Sequence, residues 1–443
     1  MAKKKYKVSD VFGIGVQSGT PAYVDRGELD LIFKRHLASN RHVSIHGGSK
    51  QGKTWLRKRG LAAEESLVVQ CTTTAKASTL LEEALAQLGV TIKLTQTGKE
   101  NLSGSVTGSL NTEAGSSFLA KIKASFTASA TASEEQQIFE QFIGQSVANL
   151  KWVANAIRLS KKRLVIEDFH YLVEHEQEVF ASWMKALGEY GVHVIIVGVW
   201  ARSHLLTYFN GDLEGRVEDI HLLWSNDELK EVIENGAEAL DITFTPELID
   251  SLIEDSYGNV GVVHRLAEKL CYEARVDQAP GPLLIDVGPE LDAARLAVAD
   301  QMRSRFEKFA SNFVRGMRRM PQGLVVYLHL LKAFTRADDK VLLAHGLDTK
   351  DLLTQINGDQ QIRPGDLSQA LVRVDRLQDK IKVSPPVLAY ESASRRVQLL
   401  DRSFLFFRKY GDPVWPWDEV GYEITNDLAS SSPLNLDNDD EVE

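Results

Sequence analysis

Eight consecutive residues, Gly47-Gly48-Ser49-Lys50-Gln51-Gly52-Lys53-Thr54, carry the spacing G-x-x-x-x-G-K-[ST]. Each residue type has a chemical task. The glycines let the backbone wrap until successive N–H groups point at one set of phosphate oxygens, and a helix starting behind them adds its positive end. Lys53 is placed to reach the β- and γ-phosphates, and the Thr54 hydroxyl to ligate Mg²⁺. Far downstream, Leu164-Val165-Ile166-Glu167-Asp168 closes an apolar run on two carboxylates. Glu167 is suited to support Mg²⁺ through its water shell, and Asp168 to polarise an attacking water. The chemistry expected is hydrolysis of a nucleoside triphosphate, with ATP and Mg²⁺ as the bound partners.

Those side chains need particular supports. A loop of this kind must leave a buried strand and open a helix; His42 to His46 reads as the strand, and Trp55-Leu56-Arg57-Lys58-Arg59 as the helix start. Leu67 to Cys71 reads as a second strand, and the run into Glu167 as a third.

Composition sets the outer limits. The chain has 443 residues with 43% apolar and 25% charged side chains, as in ordinary globular proteins, and its length suggests two or three domains. Its net charge of −10 comes from one place: residues 411–443 hold ten acids and no base, which leaves 51 acids against 51 bases before them. A near-neutral body excludes a strongly basic chain whose composition alone would announce nucleic-acid binding. Cys71 and Cys271, the only cysteines, are too few for a disulfide framework or a thiolate zinc site. The charged Met1–Lys7 leads into no apolar stretch of the signal-peptide kind, and no run of about 18 apolar residues occurs, so a cytoplasmic protein is expected.

Further segments carry a family resemblance. Tyr23-Val24-Asp25-Arg26-Gly27-Glu28-Leu29 resembles the segment that opens the AAA+ and STAND-type ATPases, which borders the adenine. Val192 to Val199 looks like their fourth core strand, Arg216 precedes a further strand at Val217 to Leu223, and Gly258 to Leu266 is similar to the start of a lid helix. The resemblance covers about residues 20–275 and is nearest to initiator-type AAA+ and STAND proteins. It implies an α/β fold with a parallel P-loop NTPase sheet and a helical lid. It also implies nucleotide contacts at Tyr23, Val24, Arg26, Trp55 and Arg265. Assembly into a homo-oligomer is implied as well, with Arg216 reaching a neighbour's γ-phosphate, although Arg216 equally suits an ordinary surface arginine and Arg265 a lid residue paired with local acids. The acidic pair departs from the usual Asp-Glu order; Asp168 is one methylene shorter at the water-activating place, which suggests slow hydrolysis, more switch than motor. The first sensor position falls near Trp200 or Ala201, where a polar residue is usual. Regulatory ATPases of this build are common in bacterial antiviral and conflict systems.

The expected organisation is an ATPase core at 1–222, a lid at 223–285, a connector helix at 286–320, a winged-helix-like domain at 321–410 and an acidic tail at 411–443. Within the core, residues 103–133 alternate at period two: Ser103 to Leu110, then Ser117 to Ser133 with Phe118, Ile122 and Phe126 on one face and Lys121, Lys123 and Ser125 on the other. Three readings stay open: strands that build a barrel, membrane barrels included; a soluble hairpin covered by a neighbouring subunit; or a small-residue loop. In the C-terminal part, Asp366 to Lys380 reads as one helix presenting Arg373, Arg376 and Lys380, ahead of two short strands, Val387 to Tyr390 and Arg396 to Leu400, that flank a wing. Such a domain serves either nucleic-acid or protein partners. A DNA-binding initiator or transposition-type ATPase, and an assembly whose hairpins act on membranes, are the alternative functions.

Overall fold

The computed structural model describes residues 5–15, 20–89, 91–97, 101–107, 147–277, 282–315, 326–357 and 362–418. They divide into two units: residues 27–46 with 53–222, and residues 1–26 and 47–52 with 223–443.

The first unit is built on a parallel sheet of β1 (His42–His46), β2 (Ser66–Gln70), β5 (Arg163–Glu167), β6 (Ile195–Val197) and β7 (Val217–His221), in the order β2-β5-β6-β1-β7. Every residue of β1 is buried, as expected of a parallel strand covered on both faces. The strand expected over 192–199 is shorter, because Val194 donates its N–H to Nδ1 of His42 at 2.9 Å and joins the ladder only afterwards. Helices α2 (Leu29–Ala38), α3 (Lys53–Gly60), α4 (Ala77–Ala86), α5 (Leu150–Ser160), α6 (Glu174–Glu189) and α7 (Leu205–Phe209) complete the unit. Phe33 of α2 is fully buried where Gly60 of α3 has no side chain; a Cβ there would lie 2.3 Å from the phenyl ring. This close approach fixes the helix that begins with Lys53.

Two further strands, β3 (Thr91–Thr97) and β4 (Asn101–Thr107), pair antiparallel. The first half of the alternating insertion therefore has its partner upstream, at Thr91–Thr97, where no strand was expected. Residues 108–146, and with them the second half at Ser117 to Ser133, lie outside the described residues.

In the second unit, α1 (Val8–Val11) packs with the lid helices α8 (Asn226–Ala239), α9 (Pro246–Ser256) and α10 (Val260–Glu273), while β8 (Ile242–Phe244) and β9 (Leu283–Ile285) form a small parallel pair. Side-chain caps from Ser225, Thr245 and Asn259 start the three lid helices, each satisfying N–H groups that a helix N-terminus leaves without partners. The 27-residue α11 (Pro289–Arg315) spans about 40 Å. It is more than a connector: buried Phe306 and Phe309 pack on Phe404 of α17 (Ser403–Tyr410), with ring centroids 5.5 and 6.2 Å apart. Burying each phenyl group is worth roughly 1.5–3 kcal/mol. Trp415 adds an edge to the same cluster, 5.9 Å from Phe404.

Between α11 and α17 lie α12 (Val326–Arg336), α13 (Asp339–Ala344), β10 (Leu347–Asp348), α14 (Thr349–Asn357), α15 (Pro364–Val372), α16 (Val374–Lys380), β11 (Leu388–Glu391) and β12 (Arg396–Leu399). The strands form an antiparallel sheet in the order β10-β12-β11. The single helix expected over 366–380 is two. Arg373 closes α15 with an i−3 bond to Ala370, whose carbonyl also accepts from the Tyr327 hydroxyl, and the chain then turns to bury Val374 and Leu377. Arg373 thus stands at the junction, its carbonyl accepting the Leu377 N–H at 2.8 Å as the cap of the helix that carries Arg376 and Lys380. Buried Gln378 ties α16 to β11: its Nε2 donates to the Leu388 carbonyl, and its Oε1 accepts from the N–H groups of Val387 and Leu388.

Candidate nucleotide site

The loop leaves β1 at Gly47, and its first six residues belong with the lid unit. Three successive carbonyls there are held from outside. Ser49 O accepts from Asn259 Nδ2 at 3.2 Å, and Lys50 O from the Gly261 N–H at 3.2 Å. Gln51 O accepts from Trp224 Nε1 at 3.1 Å and from Arg26 Nη1 at 3.4 Å. In a planar trans peptide the N–H points opposite the carbonyl. The N–H groups of Lys50, Gln51 and Gly52 therefore point away from the groups that hold these carbonyls. Positive φ at Gly47 (137°), Lys50 (57°) and Gly52 (85°) gives the alternating backbone from which anion-binding concavities form.

Arg26 lies 4.0 Å over the Trp224 ring and buries its guanidinium there, so both donors to Gln51 come from one stacked pair. Val24 belongs to the apolar core of this unit, and the Tyr23 N–H bonds to Thr20 O. The C-terminal residues also reach the loop: a Cβ on Gly48 would meet the Leu400 carbonyl at 2.8 Å. Next to Leu400, fully buried Asp401 is pushed upward by burial, but Arg305 and Ser403 outweigh this and hold its carboxyl below the usual range. Its Oδ2 lies 2.5 Å from Arg305 Nη1. Lys50 falls to about 8, through burial first and then the nearby charge of Arg265. Arg265 is itself lowered by burial, and its Nε donates to Gly261 O.

The last loop residues, Lys53 and Thr54, belong with the sheet unit. The Thr54 hydroxyl donates to Glu167 Oε2 at 2.9 Å, while Arg57 Nε donates to Oε1 at 2.9 Å. Glu167 is 2% exposed and Arg57 5%. Asp168, in the left-handed region at φ 57°, is raised by burial and by the charge of Glu167, against an opposing pull from Lys53. Burial and Lys53 bring neighbouring His170 down to about 3, and its Nδ1 accepts the Val199 N–H at 3.2 Å. Trp55 is half-buried in the first turn of α3. A donor set of hydroxyl and carboxylate oxygens suits a hard cation. Thr54, whose proton goes to Glu167, retains lone pairs for Mg²⁺, and the carboxylate has sites left for a metal-bound water.

Arg216 and Trp200, both singled out by the family resemblance, make other contacts within the chain. Arg216 pairs with Glu189 at 2.7 Å on the surface, and its carbonyl accepts the His42 N–H. It stands at the N-terminal ends of β1 and β7, whereas Thr54 and Glu167 stand at the C-terminal side. A five-residue strand spans about 16 Å, so within one chain the two ends stay apart. Trp200, near the expected sensor position, is a buried packing residue. Its carbonyl lies 3.2 Å from Nδ1 of His46, and its ring stacks on that imidazole 5.4 Å away. Arg202, just beyond, lies over Tyr208 at 4.0 Å. The sequence reading missed Arg57, Trp224 and the Asn259 side chain as parts of the site. Only Arg57 had a local signal, standing three residues after Thr54 and hence on the same helix face.

With β6 inserted between the loop strand and the acid strand, and the loop at the C-terminal end of β1, the fold is that of the P-loop NTPases. A Walker-type ATPase of Pyrococcus abyssi is similar at 14% identity over 87% of this chain and 96% of that one, with a TM-score of 0.48. The Orc1 protein of Aeropyrum pernix in complex with DNA matches at 12% identity, 93% and 98% coverage, and a TM-score of 0.40. The RuvB Holliday-junction branch-migration motor of Thermotoga maritima matches at 13%, 87% and 93%, and 0.33. No family model matches the chain, and no curated protein does. Each of these scores is below 0.5; the fold class follows from the strand order and the loop.

Proposed function

We propose that this protein is an ATP-binding, slowly hydrolysing AAA+-type switch that works as a homo-oligomer. One observation carries the nucleotide reading: three consecutive loop carbonyls are tied outward, which turns the intervening N–H groups into a phosphate cradle. In this reading Gly47 to Gly52 hold the phosphates, Lys53 reaches the terminal ones, and the Thr54 hydroxyl, oriented by Glu167, would hold Mg²⁺, which would supply charge neutralisation at the phosphates. Asp168 orients the attacking water; burial and the charge of Glu167 raise its carboxyl above the usual carboxylate range. The contact of Leu400 with Gly48 supports the switch reading, because a phosphate drawn into the loop alters a surface on which the C-terminal region rests. Lys53→Ala is expected to weaken ATP binding at least about 100-fold by calorimetry, since the charge-assisted bonds it makes have no substitute. Unchanged binding would sink the site.

Arg216 serves as the residue given to a neighbouring subunit, a role that its exposed position at the far ends of the strands allows. Arg216→Ala should then slow turnover by about 10- to 1,000-fold while leaving ATP affinity intact. Light-scattering mass with and without ATP checks the assembly itself. Nucleic acid is the second reading for the C-terminal region, favoured by Arg395 at the exposed turn between β11 and β12; steep salt dependence of duplex binding would support it. A place in a bacterial antiviral or conflict system is the biological setting that the family resemblance suggests. Phage plating on cells with and without Lys53→Ala tests it.

A further inference from the structure

Arg57 has no part in the nucleotide chemistry described so far, yet its side chain is almost fully buried against the acid that ends β5. Thr54 and Arg57 stand three residues apart on α3, so one helix face presents a hydroxyl and a guanidinium to the same carboxylate. The two oxygens of Glu167 are thereby divided: Oε2 takes the hydroxyl and Oε1 the guanidinium, both at 2.9 Å. Lys53, Arg57, Glu167 and Asp168 together carry two positive and two negative formal charges. The acid expected to attract a hydrated Mg²⁺ is thus already bound to a cation that belongs to the chain.

We infer that Arg57 is a positioning residue that occupies Glu167 as a built-in cation, so that nucleotide affinity in this protein depends only weakly on Mg²⁺. The inference rests on the ATP-binding reading above. Its reasoning is electrostatic. A fixed guanidinium beside the carboxylate repels a divalent ion from its water-mediated place and cancels most of the field that would draw the ion there. The Thr54 hydroxyl would hold Mg²⁺ carried by a nucleotide, while Glu167, accepting from that hydroxyl, keeps Thr54 oriented. An acid held in this way also fits slow turnover.

The test is the ratio of ATP dissociation constants in EDTA and in excess Mg²⁺, measured by calorimetry on the full chain. For the unaltered protein the ratio should stay under about tenfold, the equivalent of 1.4 kcal/mol. Arg57→Gln, which frees the carboxylate while keeping a donor, should raise the ratio at least about fivefold through tighter binding with Mg²⁺. Arg57→Lys, which restores the charge, should bring it back. The double variant Arg57→Gln/Glu167→Gln pairs two neutral amides and provides a folded reference should Arg57→Gln lose its melting transition; its ratio should match that of the unaltered protein. Affinity that collapses in EDTA for the unaltered protein and is rescued by neither charge change overturns the inference. So does a ratio that Arg57→Gln leaves unchanged. Measurable ATP binding in that case leaves the nucleotide site standing, whereas no binding in either buffer overturns both.

Discussion

At the scale of single residues, the phosphate loop is shaped more by what grips its outer side than by its own glycines. Gln51 is the clearest instance, since its carbonyl receives an indole N–H and a guanidinium N–H that are stacked on each other. Trp224→Phe keeps the aromatic face under Arg26 and deletes one donor. A buried hydrogen bond is worth about 1 kcal/mol, so ATP affinity should fall about fivefold while the melting temperature drops only slightly. Calorimetry beside a thermal melt separates the two effects. Buried Glu167 shows the same division of labour, with one oxygen for a hydroxyl and one for a guanidinium. Truncating one partner of such a pair costs about 3–5 kcal/mol, which is why the variants proposed for Arg57 retain a donor.

At the scale of elements, the lid helix α10 has two duties that meet in one side chain. Asn259 Oδ1 accepts from Gly261 N at 2.9 Å and Val262 N at 3.3 Å, capping the helix, while its Nδ2 donates to Ser49 O in the loop. The duties separate by mutation. Asn259→Asp keeps the cap and loses the donor, so stability should change by less than about 0.5 kcal/mol while ATP binding weakens severalfold. Asn259→Ala loses both, and should cost about 1 kcal/mol of stability on top of the affinity loss. Denaturant melts of the two variants, compared with their ATP titrations, decide whether lid and loop are coupled in this way. If Asn259→Asp binds ATP like the unaltered chain, the bond to Ser49 carries no functional weight.

At the scale of the whole molecule, the C-terminal region is attached to the lid side by a long buried helix and two ionic centres. Asp255 receives Arg295, Lys409 and the Tyr410 hydroxyl, joining α9, α11 and α17. Asp401 pairs with Arg305 beside Leu400, close to Lys50 of the loop and Arg265 of α10. That placement gives Asp401 two effects of opposite sign. It stabilises the fold by neutralising Arg305, and it opposes an incoming phosphate. Asp401→Asn should therefore lower the melting temperature by several degrees and tighten ATP binding by about three- to tenfold. Loss of stability together with loss of affinity would show that Asp401 is structural support only.

Much of this was legible in the chain itself. The loop, the strand before it and the acids closing β5 were readable because phosphate chemistry demands fixed residue types at short spacing, and because buried parallel strands are short apolar runs. The lid was readable through the likeness of Gly258 to Leu266 to the start of a lid helix. Other features had no local signature. Trp224 and Asn259 join the site across gaps of some 170 and 210 residues, and no spacing rule links a carbonyl to a donor that far away. Arg57 looked like one more base in a basic helix until the sheet placed Glu167 beside it. The expected helix over 366–380 broke because Tyr327 and the burial of Val374 outweighed continuous helical propensity, and Thr91–Thr97 became a strand only through its partner. The sequence by itself determined which residue types stand at the spacing that phosphate chemistry asks for, because that spacing is local. The tertiary structure alone decided which side chains hold the loop open and what already occupies the acid, because those are long-range bonds between buried groups.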